Sequence, residues 1–235
     1  MNGKLVMRLL MLLGVLALAL PAGAAQTAAG HISLLTGRAT AATAEGSIRP
    51  LLQGGKVYSG ETIATGPASY LNIVFSDGGR VLLRPNTRFQ IENYRYPATT
   101  RGSRGQPAAA QAQQGNAFFR LLKGGFRAIT GLIGKNNREN VSVRTPVATI
   151  GIRGTDFEVR MCAGDCLDID PLPNDGLYAG VFDGGIGITN GAGEHVTLAN
   201  QFAYVAGPDT VAVPLALRPR ALAQDPMPDP AACGD

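Results

Sequence analysis

Short runs of alternating apolar and polar residues follow one another between residues 31 and 95. In 69–75 and 88–92 the apolar side chains alternate onto one face, which is typical of half-buried β-strands, and 80–84 resumes the strand after a turn. Turn-forming residues, such as those at 76–79, separate these runs at intervals of roughly ten residues. The pattern predicts many short strands arranged as a sandwich, a barrel or a solenoid.

The second half of the chain continues this rhythm. Asp183-Gly184-Gly185 and Asn190-Gly191 are typical of hairpin turns. Residues 118–122 favour one helical turn that Gly124-Gly125 would end, and 126–133 favour a strand. Further strands are expected at 141–144, 156–161, 177–182, 186–189, 195–199 and 202–205.

Two segments break the strand pattern. Residues 97–116 contain no Val, Ile, Leu, Phe or Tyr, which predicts a flexible low-complexity insertion. Residues 207–235 form a proline-rich, acidic tail, and we expect its residues 219–235 to be disordered. One β domain would then span residues 25–206.

The first 24 residues have the features of a secretory signal peptide. Lys4 and Arg8 precede an apolar run at 9–20, and Ala22-Gly23-Ala24 follows Pro21. An uncleaved membrane anchor is the alternative, but a span needs ~20 apolar residues. The sequence therefore predicts export to the periplasm, with cleavage after Ala24.

Composition agrees with an exported all-β protein of short stacked strands. Charged residues make up 16% of the chain, and it contains 31 Gly and 15 Pro, so turns are frequent. Too many residues are apolar for a disordered protein, and glycine lacks the period of collagen.

Charge is divided unevenly along the chain. Residues 25–160 carry 14 Arg and 3 Lys against 7 acidic residues, whereas 161–235 carry 2 Arg against 10. Either the acidic end neutralises the basic body, or the arginines form an anion-binding surface. The small net charge does not favour nucleic acid as a partner.

Three cysteines remain after the leader. Cys162 and Cys166 are a candidate disulfide in an oxidising compartment, and a redox or metal pair is the alternative. Cys233 would stay free or bridge to another chain.

The sequence contains few candidate motifs for catalysis or metal binding. The sequence contains neither a Gly-x-Ser-x-Gly elbow nor a His-Glu-x-x-His pair. His31 and His195 are expected at the surface. Asp165, Asp168 and Asp170 offer oxygens to Ca2+, but a solvated acidic turn is favoured because they lack the glycine and distal glutamate of an EF loop. We therefore expect no enzyme, no cofactor and no metal.

A family resemblance arises from residues 145–157. Their Thr-Pro-Val-Ala-Thr-Ile-Gly-Ile-Arg-Gly-Thr-Asp-Phe string resembles the core motif of the FecR domain. Segments at 122–126, 60–66 and 178–185 resemble the glycine-containing flanks of that family, so the likeness extends over about residues 31–206. The motif residues of interest are Thr145, Pro146, Gly151, Arg153, Gly154 and Thr155.

The resemblance implies an all-β, solenoid-like or sandwich-like fold and a role in signalling. Members of the family are periplasmic parts of membrane-anchored regulators, which pass a signal from an outer-membrane transporter to a cytoplasmic sigma factor. Anti-sigma activity is not expected here, because the apolar run opens the chain and is followed by a cleavage site.

Three functions follow as hypotheses. The first is a non-enzymatic periplasmic interaction or sensing module with an envelope protein partner, linked to envelope or iron-transport signalling. The second is an envelope component that binds a polyanionic glycan or lipid through its arginine-rich body, touching the membrane only indirectly. The third, an enzyme, would need a nucleophile–base pair that the sequence does not show.

The motif also has a physical interpretation. Pro146 enforces an extended entry, and Gly151 and Gly154 allow close backbone approach or a positive φ. Arg153 would either brace a buried corner through its planar guanidinium or lie in an exposed contact loop.

Overall fold

The computed structural model describes residues 27–97, 115–152, 154–167, 169–223 and 227–232. These ranges form strands β1 Ala28–Leu35, β2 Ala39–Ala42, β3 Ile48–Pro50, β4 Lys56–Tyr58, β5 Thr62–Thr65, β6 Leu71–Phe75, β7 Arg80–Leu83, β8 Arg88–Arg95, β9 Asn116–Ile129, β10 Val141–Arg144, β11 Thr149–Ile152, β12 Asp156–Cys162, β13 Gly176–Asp183, β14 Gly185–Asn190, β15 Gly193–Leu198, β16 Phe202–Val205 and β17 Val213–Leu215. Helical segments are short: α1 Leu132–Asn136, α2 Arg220–Ala223, and single 3-10 turns at Arg138–Asn140 and Pro230–Ala232.

The strands form two layers that share β9. Layer A has the order β4-β1-β6-β7-β9-β12-β13-β16-β17. Layer B has the order β3-β2-β5-β8-β9-β10-β11-β14-β15. Neighbouring strands are antiparallel except β9 and β10, which are parallel. The expected all-β fold is confirmed, and its layering is that of a sandwich.

A bend in β9 lets it serve both layers. Its first half, 116–123, pairs with β8 and β10 in layer B. Its second half, 124–129, pairs with β7 and β12 in layer A. Between the halves Gly124 adopts a φ of +77°, a conformation that glycine reaches without strain. The helical turn expected at 118–122 is therefore wrong, because strands on both sides hold this segment extended.

An aromatic ladder joins the two layers across the core. Consecutive ring centroids lie 5.1 to 5.7 Å apart. In order, the rings belong to Tyr94, Phe75, Phe119, Phe89, Phe126 and Phe157. Phe75 and Phe89 occupy the inward strand positions that the alternating sequence pattern predicts.

Most of the expected strands are confirmed. Those at 141–144 and 202–205 have the predicted bounds, and most of the others agree within two residues. β8 extends three residues beyond the predicted 88–92, and the strand expected at 126–133 is the end of β9, which stops at Ile129 before helix α1. The proposed signal peptide, and 98–114 of the predicted insertion, lie outside the described residues. Among the described residues, no helix is long and apolar enough to span a membrane.

The expectation of a disordered tail is wrong for its described part. Residues 218–223 and 227–232, the C-terminal strap, pack on the outer face of layer A. Leu222 and Met227 are buried there. No periodic pattern of apolar residues predicts this strap, because prolines separate its few apolar side chains and its helical segments are only three or four residues long.

Candidate functional site

The outer face of layer A carries charged residues that other parts of the chain cover. The outer face of a sheet is normally exposed to solvent. Along β12, Phe157 and Val159 point into the core. The alternation of a strand therefore directs Asp156, Glu158 and Arg160 to the opposite face. Glu158 is nonetheless fully buried, because strands on either side and the C-terminal strap enclose it.

Two arginines from distant parts of the chain converge on Glu158. Arg218 of the strap donates from Nη2 to Oε1 at 2.5 Å, and Arg84, which follows β7, places Nη2 3.5 Å from Oε2. Burial raises the pKa of Glu158 above its ordinary value, and the two arginines oppose that rise. The cluster joins three segments that lie far apart in sequence.

A second ion pair lies next to the first. Arg127 of β9 binds Asp156 through two parallel hydrogen bonds of 2.9 and 2.7 Å. Its guanidinium also donates to the carbonyl oxygen of Met227 at 3.1 Å and lies 3.9 Å from the centroid of the Phe182 ring. The hydrogen bonds to Asp156 raise the pKa of Arg127. Arg127 thus connects the body of layer A to the strap.

A buried amide completes the contacts of the strap. Asn72 of β6 donates to the hydroxyl of Ser33 at 2.9 Å and to the carbonyl oxygen of Pro230 at 3.0 Å. Backbone carbonyls of the strap thus accept hydrogen bonds from buried side chains, which would otherwise lose hydration without compensation. Chemically, the whole arrangement acts as a latch that holds the strap on layer A.

The first motif threonine shapes a turn. Thr145 Oγ1 accepts hydrogen bonds from the backbone N–H groups of Val147 and Ala148 and donates to the Ala148 carbonyl at 2.8 Å. Pro146 lies exposed within this turn between β10 and β11. Gly151 lies on the outer face of β11, directly opposite Gly187 of β14.

The second motif threonine fastens three strand ends together. Thr155 is buried; its Oγ1 donates to the Gly185 carbonyl at 2.6 Å, and its N–H donates to Thr130 Oγ1 at 3.0 Å. Gly154 adopts a φ of +69° at this corner. Arg153 lies outside the described residues, so whether it braces the corner stays a prediction.

The predicted disulfide is present. Cys162 and Cys166 are bridged with a Cα–Cα distance of 5.4 Å. The bridge packs with Ile169, Tyr178 and Leu222 in a small second core outside layer A. Cys233 lies outside the described residues.

The acidic residues near the disulfide cap turns. Asp165 accepts from the Ala163 N–H at 2.9 Å, and Asp175 accepts from the Gly164 N–H at 2.7 Å. Asp168 lies outside the described residues. Within the ranges that the structure describes, no group of three His, Cys, Asp or Glu side chains is arranged to hold a metal ion.

The two histidines are not brought together into one site. His31 is exposed on β1 of layer A, and His195 is half-buried on β15 of layer B.

Comparison with protein families agrees with this architecture. Residues 61–167 match the family model described as FecR protein. The chain contains a FecR domain. The match begins just before β5 and ends just after the disulfide, so it includes the β10–β11 turn, the Thr155 corner and the charged row of β12.

Among solved structures, the chain is similar to a candidate anti-sigma factor from Parabacteroides distasonis ATCC 8503, known at 1.65 and 2.50 Å resolution. Identity is 15%, the TM-score is 0.45, and the alignment covers 66% of this chain and 58% of that one. The chain thus spans little more than half the length of that protein.

A structure described as a cell surface anchoring domain shares 32% identity over 26% of this chain and 82% of its own, with a TM-score of 0.26. No curated protein matches the chain.

Sequence reasoning missed the latch next to the FecR motif. Asp156, Glu158 and Arg160 occupy alternate positions, a pattern that usually marks a solvated strand face. One feature of the sequence could have indicated it. The long acidic and proline-rich tail contains Arg218, Leu222 and Met227, which could pack over that face of the sheet.

Proposed function

We propose that this chain is a non-enzymatic signalling module of the cell envelope, in which the FecR domain binds a protein partner. The observation that carries the proposal is the FecR match across residues 61–167. The FecR resemblance implies a module that receives a signal from an envelope protein and passes it on.

The geometry of the motif supports an interaction role. The hydroxyls of Thr145 and Thr155 bond backbone groups within the fold. Glu158 and Asp156 are held by arginines. These side chains therefore maintain the scaffold, while its outer surfaces and strand edges remain for contacts with a partner.

Binding of a polyanionic glycan or lipid is less well supported. The arginine-rich body uses many of its guanidinium groups in ion pairs with carboxylates, which lowers their attraction for an external polyanion. The pairs of the body are Arg49–Glu61, Arg84–Glu158, Arg120–Glu92, Arg127–Asp156 and Arg144–Glu92, and Glu158 also pairs with Arg218 of the strap.

In-cell crosslinking tests the proposed function. The full chain with a tag after Asp235 is crosslinked in intact cells, purified under denaturing conditions and examined by mass spectrometry. We expect one discrete envelope protein to be enriched over a tagged, unrelated exported protein. Recovery of glycan or lipid alone with the tagged protein, released by high salt, would contradict the proposal and favour binding of a polyanion.

Export is tested separately. N-terminal sequencing of the purified protein should begin at Ala25 if residues 1–24 are a cleaved signal peptide. A chain that retains Met1 and fractionates with cytoplasmic proteins would exclude a role in the envelope.

A further inference from the structure

A row of three side chains crosses the outer face of layer A under the distal part of the strap, Met227–Ala232. The strand register pairs Asn72 of β6 with Leu82 of β7, and Leu82 with Arg127 of β9. Leu82 is 1% exposed, although it points away from the inner core, because the 3-10 turn at the end of the strap lies against β7 and β9. We call Asn72, Leu82 and Arg127 the outer row.

The strap crosses the outer row in steps of three residues. Arg127 Nη1 donates to the carbonyl oxygen of Met227 at 3.1 Å, and Asn72 Nδ2 donates to that of Pro230 at 3.0 Å. The side chains of Met227 and Pro230 are buried, and the two residues between them are exposed. Neighbouring strands lie ~4.8 Å apart, so the two donors are separated by ~10 Å along the row. Three residues of a polyproline II chain advance ~9 Å, so the outer row matches an extended segment.

The contacts of the outer row do not depend on the side chains of this strap. Both hydrogen bonds are made to backbone carbonyl oxygens, which every residue carries. The row itself lies within the FecR match at residues 61–167, whereas Met227–Ala232 lies outside it. The FecR domain thus provides the donors and the apolar floor of a peptide site, and the strap is one segment that fits it.

The strap leaves one buried atom of this site without a hydrogen bond. Asn72 is fully buried, and among the described residues its Oδ1 accepts no hydrogen bond. Pro230 has no N–H to donate, and the N–H groups of Ala231 and Ala232 bond Asp229 within the 3-10 turn. A buried acceptor without a donor weakens a contact. A segment with an N–H at the place of Pro230 would therefore fit the site better.

We propose that the outer row binds an extended segment of a partner protein, which carries an apolar residue at the place of Met227 and a residue other than proline at the place of Pro230. An extended residue directs its N–H and C=O to the same side, so the Asn72 amide bonds both groups. The distal part of the strap occupies the row until the partner displaces it. This inference rests on the proposed function, since it identifies where the signalling partner binds.

Two capped hexapeptides test the unsatisfied acceptor. The first, Met-Pro-Asp-Pro-Ala-Ala, copies residues 227–232, and the second has Ala in place of the second Pro. Each carries a fluorophore at its C-terminal end and is added at up to about 1 mM to the full chain with Met227→Asp. A carboxylate at that place is too costly to bury, so the variant frees the row. Fluorescence anisotropy should show the Ala peptide binding at least several-fold more tightly than the Pro peptide.

Two variants serve as controls. Ala231→Asp adds the same charge at an exposed position, so the distal part of the strap stays in place and continues to compete. Both peptides should bind this variant about tenfold more weakly than they bind Met227→Asp. Adding Asn72→Leu to Met227→Asp removes the amide at similar volume, so the two peptides should bind equally, and more weakly.

Thermal unfolding of each variant checks that it is folded before binding is measured. A folded Met227→Asp chain that binds neither peptide at about 1 mM would overturn the proposal. Equal binding of the two peptides to Met227→Asp would overturn it too, since Asn72 Oδ1 would then not distinguish them. Should a variant fail to fold, the preference of the parent chain for the Ala peptide over the Pro peptide decides.

Crosslinking of the full chain in cells separates this inference from the proposed function. Met227→Asp should recover several-fold more envelope partner than the parent. Equal recovery by the parent, Met227→Asp and Asn72→Leu would overturn the outer row as the partner site and leave the signalling role intact. Peptide binding by a chain that captures no envelope protein would leave the peptide site and contradict the proposed function. Exchange of the strap between two copies, seen as a dimer mass in sedimentation, would assign the row to a second copy and overturn the inference.

Discussion

Glu158 lies at an outward-facing strand position and is nevertheless fully buried. A carboxylate in such a place needs nearby cations, and Arg84 and Arg218 supply them. Removing one partner of a buried ion pair is more damaging than removing a solvent-exposed pair, since the remaining charge stays desolvated.

The contribution of Arg84 can be measured with a length-matched apolar variant. Arg84→Met should lower the free energy of unfolding by about 3 kcal/mol, because Glu158 keeps only Arg218 at close range. Adding Glu158→Gln to that variant should recover part of the loss, since the buried charge is gone. Urea denaturation measures both.

An exposed arginine provides the control. Arg144 lies 3.6 Å from Glu92 and is largely exposed, so Arg144→Met should change stability by about 0.5 kcal/mol or less. Equal losses for the two methionine variants would show that the burial of Glu158 has no energetic consequence.

The pKa of Glu158 predicts a pH dependence of stability. Burial raises this pKa above the ordinary value of 4.5, so the folded chain holds the proton more tightly than the unfolded chain. The stabilising contribution is complete below pH 4.5 and is lost as pH rises through the folded pKa. We therefore expect the parent to lose stability relative to Glu158→Gln as pH rises from about 4.5 to 7. Parallel pH profiles in urea denaturation would contradict this.

Some residue-level features could be predicted and others could not. The disulfide follows from the close spacing of Cys162 and Cys166 and from the expected compartment. The burial of Glu158 could not be predicted, because its arginines come from the residue after β7 and from the strap, and no local pattern links them.

At the scale of elements, β9 determines how the strands are divided between layers. Its two halves pair with different neighbours, and the change occurs at Gly124. Short strands with alternating residues, such as β6 and β16, were predictable because each belongs to a single layer. The pattern of β9 was ambiguous, because a strand that changes layers is buried differently along its length.

Two alanine variants separate backbone strain from crowding at this bend. Gly124 and Gly54 both have a φ of +77°, but a Cβ on Gly124 would lie 2.6 Å from Thr87 Cα, whereas Gly54 has open space. Gly54→Ala should cost about 1 kcal/mol from strain alone. Gly124→Ala should cost at least about twice as much, because Thr87 must also move. Thermal unfolding compares the two, and equal losses would rule out a special role for the bend.

At the scale of the whole molecule, the strap closes layer A. Its own Leu222 and Met227 are buried, and burying two such side chains contributes roughly 4 kcal/mol. The FecR match ends at residue 167, before the strap begins. The folded unit is therefore larger than the matched segment, because β1 pairs with β6 and β13 pairs with β12.

Truncation tests the role of the strap. A chain that ends at Leu217 should lose roughly 4 kcal/mol of stability and bind a hydrophobic dye, since Leu222 and Arg218 no longer cover layer A. A chain that ends at Ala232 keeps the packed strap and should match the parent in thermal unfolding. If the two truncated chains unfold at the same temperature, the strap does not stabilise the fold.

The shared strand also has a mechanical consequence. A pull on the C-terminus loads the strap and then β17, which pairs only with β16 among the described residues and can be peeled away one bond at a time. β9 has neighbours along both flanks in each half, so more hydrogen bonds hold it in place than hold β17. Tension from a bound partner would thus strip the outer segments first and leave the two layers joined.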